Sequence, residues 1–270
     1  MSEAIKHECG IAYVRLRKPL SYYKKKYGDP LWGLRKLFFL LQKQRNRGHD
    51  GVGFACCKLN VRLGEPYMFW DRSAKRDALG PVFRGILKKY KEMKKDRIID
   101  TSDPDSIQEN FHFGGENLFG HLRYATSGGG SKAKFCHPQV HNSTWKTKSL
   151  MIIGNFNMTN AGQLKAAMIE RGQHPFHDVD TQVVLEDIAF HLEEEHDRIY
   201  HDNMERMPKA DIPSVISKEL EFSEILQTAA SHWDGGYVLA GAVGNGDGFV
   251  ARDPHGIRPC FYFENDEVIA

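Results

Sequence analysis

The sequence begins to define a fold at His7-Glu8-Cys9-Gly10-Ile11-Ala12-Tyr13-Val14, where a cysteine is followed at once by glycine and a strand-like apolar run. If the residues before Cys9 are removed, Cys9 carries both a thiol and a free α-amino group. The pKa of an α-amino group is about 7.7–8.0, so this amine can take the proton that the thiol must lose. The stretch predicts a nucleophile with its own base. On position alone, a single cysteine near a terminus is more typical of a small buried hydrophobic residue.

Composition predicts a folded protein that binds neither nucleic acid nor a membrane. The 270 residues are 41% hydrophobic, enough to bury the core of one large domain or two small ones. The 37 basic and 35 acidic residues leave a net charge of only +2, which argues against nucleic acid as a partner. No segment approaches the roughly 20 apolar residues that a membrane span needs.

The cysteines and histidines predict neither disulfides nor a metal site. Five cysteines is an odd number without metal-ligand spacing, which suits a reducing, cytoplasmic location. Residues 1–8 lack the apolar core of a signal peptide, so we interpret them as a leader or propeptide. His191, His196 and His201 fall in a charged helical stretch and are typical of surface histidines, so we expect no metal here.

Periodicity outlines the first half of the chain. Cys9 to Leu16 predicts a strand, and apolar residues at helical spacing predict an amphipathic helix from Leu31 to Arg45. The glycines in Arg47-Gly-His-Asp-Gly-Val-Gly53 indicate a tight turn in which the backbone approaches something closely, although a helix cap explains Gly48 alone. We expect a surface helix over 75–97 and a loop over 100–117.

Two strand ends carry polar side chains suited to binding an anion. Leu118 to Tyr124 predicts a strand that runs into a glycine-rich loop, and Arg123 at its end is costly to bury unless an anion meets it. Arg123 is therefore a candidate carboxylate clamp, with an internal salt bridge as the alternative. The glycines are poorly suited to a phosphate loop because no GKS or GKT follows. Asn155 follows a second buried strand, where its amide can face developing negative charge.

The last third predicts two helices and a strand pair. Asp180 opens a helix, where an aspartate is ordinarily an N-cap. A helix over 223–233 precedes two strands, Gly235–Val243 and Gly248–Arg252, joined by the turn Asn245-Gly246-Asp247.

Six blocks in order then resemble the class II glutamine amidotransferase family. The last block is most similar to the amidophosphoribosyltransferase members of that family. The blocks span nearly the whole chain: Cys9-Gly-Ile11, Arg47-Gly-His-Asp-Gly-Val-Gly53, Gly120-His-Leu-Arg-Tyr-Ala-Thr126, Asn155-Phe-Asn-Met-Thr-Asn160, Val179-Asp-Thr181 and Ala251-Arg-Asp-Pro-His-Gly-Ile-Arg-Pro259.

The resemblance implies an α+β fold, a four-layer αββα sandwich of the N-terminal-nucleophile hydrolase type. It implies a propeptide at 1–8 and a glutaminase domain at 9–270, with a phosphoribosyltransferase domain missing from this chain. In such an enzyme ammonia from glutamine is used on phosphoribosyl diphosphate in the first step of purine synthesis. The family implies no cofactor within this chain, Mg²⁺ and in some members an iron–sulfur cluster in the full-length enzyme, and a homo-oligomer.

The resemblance also assigns catalytic roles. Cys9 would attack the side-chain amide of glutamine, and Asn155 with the backbone N–H of Phe156 would form the oxyanion hole. The family usually has His-Asn-Gly-Asn where this chain has Gly154-Asn-Phe-Asn157. Phe156 thus replaces a glycine, which can change the local backbone angles or the pocket size.

Four further residues would bind glutamine or support the nucleophile. Arg123, assisted by Thr126, would bind the α-carboxylate, Asp180 the α-ammonium, and Arg47 would support the loop of the nucleophile. Two alternatives stay open: the same domain serving another acceptor, and a degenerate domain that binds glutamine or a partner without hydrolysis.

Overall fold

The apolar run after Cys9 forms strand β1 (Gly10–Leu16), as its β-branched and aromatic residues predict. The computed structural model describes residues 8–59, 61–124, 133–175 and 179–270. The other helices and strands follow in chain order: α1 (Leu20–Tyr27), α2 (Trp32–Lys43), β2 (Gly51–Cys57), β3 (Met68–Ser73), α3 (Leu79–Lys95), α4 (Pro104–Asn110), β4 (Asn117–Arg123), β5 (Gln139–His141), β6 (Leu150–Met158), α5 (Ala161–Glu170), α6 (Asp180–Asn203), α7 (Ile212–Glu219), α8 (Phe222–Ala230), β7 (Gly235–Val243), β8 (Gly248–Arg252) and β9 (Val268–Ile269).

These elements belong to two compact units. The first comprises Met1–Pro138, Ile153–Asn155 and Pro259–Ala270, and the second comprises Gln139–Ile152 and Phe156–Arg258. Each unit has its own antiparallel sheet, with strand order β3-β2-β4-β1-β9 in the first and β5-β6-β7-β8 in the second. The structure therefore combines helices with two antiparallel sheets, as expected for the α+β class that the family resemblance implies.

In the first unit, β1 and β2 both pair with β4. Gly10 pairs with Leu122 across β1 and β4, and Gly51 pairs with Arg123 across β2 and β4. All seven residues of β2 and all seven of β4 are buried. The register brings the start of β1, the start of β2 and the end of β4 to one edge of the sheet.

Helix α2 covers β1 and β4 with its apolar face. Leu34, Leu37 and Leu41 are buried at helical spacing, and burial of each such side chain contributes about 1.5–3 kcal/mol. Leu41 lies over Gly120, and a Cβ added to Gly120 would come 2.4 Å from the Cδ1 of Leu41. The helix can approach the sheet this closely because Gly120 has no side chain.

The second unit builds its core from one face of its sheet and the apolar faces of its helices. Strands β7 and β8 pair around the predicted turn, with Leu239 opposite Ala251. The buried cluster of this unit draws on α5, α6, α7 and α8 as well as β6 and β7, with fully buried members such as Val184, Ile188, Ile216 and Leu239.

The glycines after Arg47 are explained by close backbone approaches within the first unit. A Cβ on Gly48 would lie 2.7 Å from the carbonyl oxygen of Leu122. A Cβ on Gly53 would lie 1.7 Å from the carbonyl oxygen of His137, a distance that real Cβ atoms do not show. The predicted close approach is therefore to other strands and loops of the same chain.

Several elements differ from the sequence predictions. The stretch 100–117 contains helix α4, begun by Asp103 as N-cap with Pro104 in its first turn. Strand β6 continues through Asn155 to Met158, beyond the predicted end at Gly154. The polar stretch after Glu193 continues helix α6 to Asn203 and then forms α7. Strand β3 and helix α1 were not predicted, because alternation is weak in β3 and α1 has few apolar residues.

Every helix in the described part of the chain is too short or too polar to cross a bilayer.

We predict that Gly53→Ala destabilises the protein by about 3 kcal/mol, because the added methyl group displaces the backbone of His137. Gly85→Ala is the matched control: Gly85 lies inside α3 with open space around a built Cβ, so this change should stabilise by about 0.5–1 kcal/mol. Urea unfolding of the two variants measures both effects. Equal stability of the two variants would contradict the close approach at Gly53.

Candidate active site around Cys9

The pairing of β1 with β4 fixes the surroundings of Cys9. Cys9 immediately precedes β1, and Tyr124 immediately follows β4. The backbone N–H of Tyr124 donates to the Cys9 Sγ at 3.4 Å, and the thiol lies 3.8 Å from the carbonyl oxygen of Tyr124. Main-chain groups of Tyr124 therefore hold the sulfur where β1 begins and β4 ends. Side-chain substitutions would not remove these contacts.

The environment of Cys9 keeps its thiol protonated. Burial raises the pKa of the Cys9 thiol above its usual value, and the Tyr124 N–H and the positive charges of Arg123 and Arg47 offset only part of this effect. Within the described part of the chain, the hydrogen-bond partners of the Sγ are both main-chain groups of Tyr124. A reactive thiolate would thus need a base that these neighbours do not supply.

Arg47 lies against the peptide that carries the nucleophile. Its Nε donates to the carbonyl oxygen of Cys9 at 3.4 Å, and its Nη2 lies 3.4 Å from the Glu8 carboxylate. Arg47 closes a 3₁₀ turn, Arg45–Arg47, that follows α2 and leads to β2. The structure thus places Arg47 beside Cys9, where the sequence analysis expected a supporting role.

Asn155 reaches the same carboxylate. Its side-chain Nδ2 donates to Glu8 at 3.2 Å, so a negatively charged oxygen occupies the position in front of this amide. Asn155 is buried, and the backbone N–H of its neighbour Gly154 donates to His137 Nδ1 at 3.0 Å. Glu8, which the sequence analysis did not single out, is therefore the residue that links Arg47 and Asn155.

Arg123 is a buried cation at the end of β4. Its side chain is only 7% exposed, and its guanidinium has no hydrogen-bonded or ion-paired partner among the residues that the structure describes. An internal salt bridge, the alternative from sequence, is therefore not found over those residues. Burial raises the pKa of Cys9 and of Cys136, and the charge of Arg123 offsets part of that rise. For His137, burial lowers the pKa and the charge of Arg123 adds to that effect. A buried guanidinium of this kind is suited to an incoming anion.

Asp180 and Phe156 lie in the second unit. Asp180 is the first residue of α6, directly after the N-cap residue Val179, and its carboxylate accepts from the backbone N–H of Met158 at 3.2 Å. The N-cap interpretation of Asp180 is thus replaced by a bond to the end of β6. Phe156 is partly buried against the apolar cluster of its unit. Thr126 falls outside the described residues.

The backbone at Phe156 does not require glycine. Among the described residues other than glycine, only Asp77 and Arg97 have positive φ. Phe156 therefore takes an ordinary extended conformation within β6, which an L residue adopts without strain. The difference from the family pattern lies in side-chain volume and not in backbone angles.

Two stacked histidines support the site and were missed from sequence. The rings of His121 and His137 lie 4.1 Å apart at 25°, and both are buried. Burial, helped by the charges of Arg123 and Arg72, lowers the pKa of His137 to about 3, and the pKa of His121 is lowered well below its usual value. His137 is neutral at physiological pH and accepts the Gly154 N–H through Nδ1. His121 in the Gly120-His-Leu-Arg block was the only sequence signal for this pair.

This neutral histidine predicts loss of stability in acid. The pKa of His137 is near 6.5 in the unfolded chain and about 3 in the folded protein. Between these two pH values the unfolded state binds a proton at His137 and the folded state does not. The stability that the neutral His137 contributes is complete above pH 6.5 and is lost as the pH falls towards 3. At pH 5 the free energy of unfolding should be lower by about 2 kcal/mol. Urea unfolding at pH 7.5 and pH 5 measures the loss.

The matched variant is His137→Asn, whose side-chain oxygen can accept the Gly154 N–H without titrating. We expect a smaller difference between the two pH values in this variant than in the wild type. The same pH dependence in both proteins would show that His137 does not cause the acid sensitivity.

Comparisons with known proteins rest on structure. No family model and no curated protein sequence matches the chain. A structure of glutamine phosphoribosylpyrophosphate amidotransferase from B. subtilis, complexed with ADP and GMP, matches with a TM-score of 0.59 at 17% identity, over 96% of this chain and 41% of that chain. A structure described as the allosteric regulatory enzyme of purine biosynthesis matches with a TM-score of 0.54 at 19% identity, again over 96% and 41%.

The two solved structures are considerably longer than the chain, which spans about two fifths of each. The likeness extends over nearly every residue of this chain, so it covers both units and their sheets. At these identities a likeness between structures establishes the fold. The chain therefore has the fold of part of the B. subtilis glutamine phosphoribosylpyrophosphate amidotransferase.

Proposed function

We propose that the chain is the class II glutamine amidotransferase domain of an amidophosphoribosyltransferase. It would hydrolyse glutamine to glutamate and ammonia, and the ammonia would be used on phosphoribosyl diphosphate in the first step of purine synthesis. The observation that carries the proposal is the buried Arg123, which has no partner among the described residues and lies on a strand whose register places it beside Cys9. An anion-binding group next to a nucleophile is what hydrolysis of an amino acid amide needs.

The chemistry starts from a protonated thiol. With residues 1–8 removed, the α-amino group of Cys9 would take the thiol proton, since the described hydrogen-bond partners of the sulfur include no such base. The sulfur would then attack the amide carbon of glutamine, and the amine would pass the proton to the departing ammonia. Water would hydrolyse the resulting thioester to release glutamate and restore the thiol.

Asn155 and Phe156 would stabilise the oxyanion of this reaction. The amide of Asn155 already donates to a carboxylate oxygen of Glu8, which supports its role as a donor to negative charge. Glu8 would leave with the propeptide, and both Asn155 and Arg47 would then be available to the reaction. One such oxyanion donor is worth about 2.7–4 kcal/mol of barrier.

The substrate would be bound by its two charges. Arg123 with Thr126 would hold the α-carboxylate of glutamine, and Asp180 its α-ammonium. The similar structures extend well beyond this chain, and a phosphoribosyltransferase domain in such an extension would use Mg²⁺ and receive the ammonia. We also propose the four-layer αββα sandwich of the N-terminal-nucleophile hydrolases, assembly as a homo-oligomer and a cytoplasmic location.

An iron–sulfur cluster, as in some family members, would belong to the full-length enzyme. Among the described residues, the cysteine sulfur atoms form no group that could share a metal ion or cluster. Cys56, Cys57 and Cys136 are buried in strands or loops, and Cys9 and Cys260 are partly exposed. No step of the proposed reaction uses such a cluster.

The first test concerns the leader and the nucleophile. Chain that begins at Cys9 should release glutamate from glutamine, whereas chain that retains residues 1–8 should be inactive, because its Cys9 nitrogen is a peptide nitrogen and Glu8 occupies Asn155. Cys9→Ala should abolish turnover in the shortened chain without unfolding it, and Cys260→Ala should leave turnover unchanged. Intact mass confirms the first residue in each sample.

The outcomes of this test separate the alternatives. Turnover that survives Cys9→Ala would exclude Cys9 as the nucleophile. A shortened chain that binds glutamine without turnover would favour a degenerate binding domain, for which Phe156 in place of glycine is the motivating observation. Activity with ammonia delivered to a different acceptor would favour another member of the amidotransferase family.

The second test concerns substrate binding. Arg123→Ala should raise the KM for glutamine about 100-fold with a smaller effect on kcat, because a charge-assisted hydrogen bond of about 1.5–3 kcal/mol to the bound carboxylate is lost. Arg62→Ala, at an exposed arginine paired with Glu109, is the control and should leave KM unchanged. An unchanged KM in Arg123→Ala would remove Arg123 from the glutamine site.

A further inference from the structure

Two histidines and an aspartate of the second unit converge outside the site around Cys9. Asp187 and His191 are four residues apart on α6 and so share one face of the helix, and His232 lies in the turn between α8 and β7. One potential ligand atom from each residue lies within 4.8 Å of the other two. Among the described residues, no other three histidine, cysteine or carboxylate groups come together in this way.

His191 presents a nitrogen that lacks a partner. Its Nδ1 lies 3.2 Å from a carboxylate oxygen of Glu194, so the ring proton belongs on Nδ1 in the neutral imidazole. Its Nε2 is buried and has no hydrogen-bond partner over the residues that the structure describes. The side chain as a whole is 16% exposed. The lone pair of Nε2 therefore lies within the cluster and accepts no hydrogen bond from the described residues.

His232 is oriented in the same way by a serine. The Ser231 hydroxyl donates to the carbonyl oxygen of Thr228 at 2.8 Å, so it can only accept from His232 Nδ1, which lies 3.0 Å away. In the neutral ring Nε2 then carries the lone pair, and this atom lies 3.4 Å from Asp187 Oδ2. Two acceptor atoms that face each other in this way repel unless a proton or a metal ion lies between them.

Asp187, the third residue of the cluster, is held in place by hydrogen bonds from Trp233 and Arg171. Asp187 is 2% exposed; its Oδ2 accepts from Trp233 Nε1 at 2.9 Å, and its Oδ1 accepts from Arg171 at 3.0 Å. The turn that carries His232 is held by Asn160, whose Nδ2 donates to the carbonyl oxygen of His232 at 2.8 Å. Outer hydrogen bonds of this kind orient the ligands of metal sites.

We propose that Asp187 Oδ2, His191 Nε2 and His232 Nε2 bind one Zn²⁺ ion. Two imidazoles and one carboxylate suit zinc, and tetrahedral bonds of 2.0–2.1 Å put neighbouring ligand atoms about 3.4 Å apart, as His232 and Asp187 are. His232 is 46% exposed, so the fourth position opens to water. The ion ties α6, which begins at Asp180, to the segment that precedes β7.

The alternative for these residues is a protonated His232 paired with Asp187. That arrangement leaves the buried Nε2 of His191 without a partner and binds no metal. Titration of the metal-free chain with Zn²⁺ by calorimetry distinguishes the two. We expect one site per chain, and a rise in Tm with Zn²⁺ concentration because the ion binds only the folded state.

His232→Ala is the variant that tests the site, because an exposed side chain can be removed without unfolding the unit. We expect Zn²⁺ affinity to fall about 100-fold or more and the Zn²⁺-dependent rise in Tm to be lost. His201→Ala, on the exposed part of the same helix, is the matched control and should bind Zn²⁺ as the wild type does.

Trp233 offers a second measurement at the same site. Since its indole N–H donates to Asp187, Co²⁺ in place of Zn²⁺ should quench Trp233 fluorescence in the wild type and in His201→Ala but not in His232→Ala. The proposal is overturned if the wild type shows no saturable Zn²⁺ binding at millimolar concentration, or if His232→Ala binds Zn²⁺ with unchanged affinity. Neither measurement depends on glutaminase activity.

Discussion

The antiparallel pairing of β1 with β4 is the constraint on which the site around Cys9 depends. The pairing is a ladder of main-chain hydrogen bonds to β4, whose seven residues are all buried, and its register decides which side chains face α2. A slip of one residue would turn Leu118 and Leu122 away from α2 and would move Tyr124 away from the sulfur. The position of the nucleophile is thus a consequence of core packing.

Burial also sets the charge state of the site. Removing groups from water raises the pKa of Cys9 and lowers the pKa of His137 and His121, so the sheet edge holds a protonated thiol and two neutral imidazoles. Arg123 remains the charged group among them. The combination favours an anionic ligand at Arg123 and requires a separate base for the thiol, and this supports a mechanism in which the α-amino group has that role.

Glu8 adds a constraint that the strand pattern does not contain. Its carboxylate contacts Arg47 and Asn155, so the residue that precedes the nucleophile satisfies two donors of the site. In the proposed mechanism, cleavage after Glu8 has two effects: it creates the amine of Cys9 and exposes the amide of Asn155. Both effects arise from the same peptide bond.

The sequence by itself determined the positions of β1, α2, β4, α6 and the β7–β8 pair, because apolar periodicity and turn residues report burial directly. It also identified Cys9, Arg123 and Asn155 as polar residues next to buried strands, although β6 continues past Asn155 to Met158. It could not determine what these groups contact, since Glu8, His137 and Tyr124 reach them only through strand pairing and long-range packing. The approach of His137 to Gly53, the bond from Met158 to Asp180 and the convergence of His191 with His232 were likewise decided by the tertiary structure, because each joins residues that are distant along the chain.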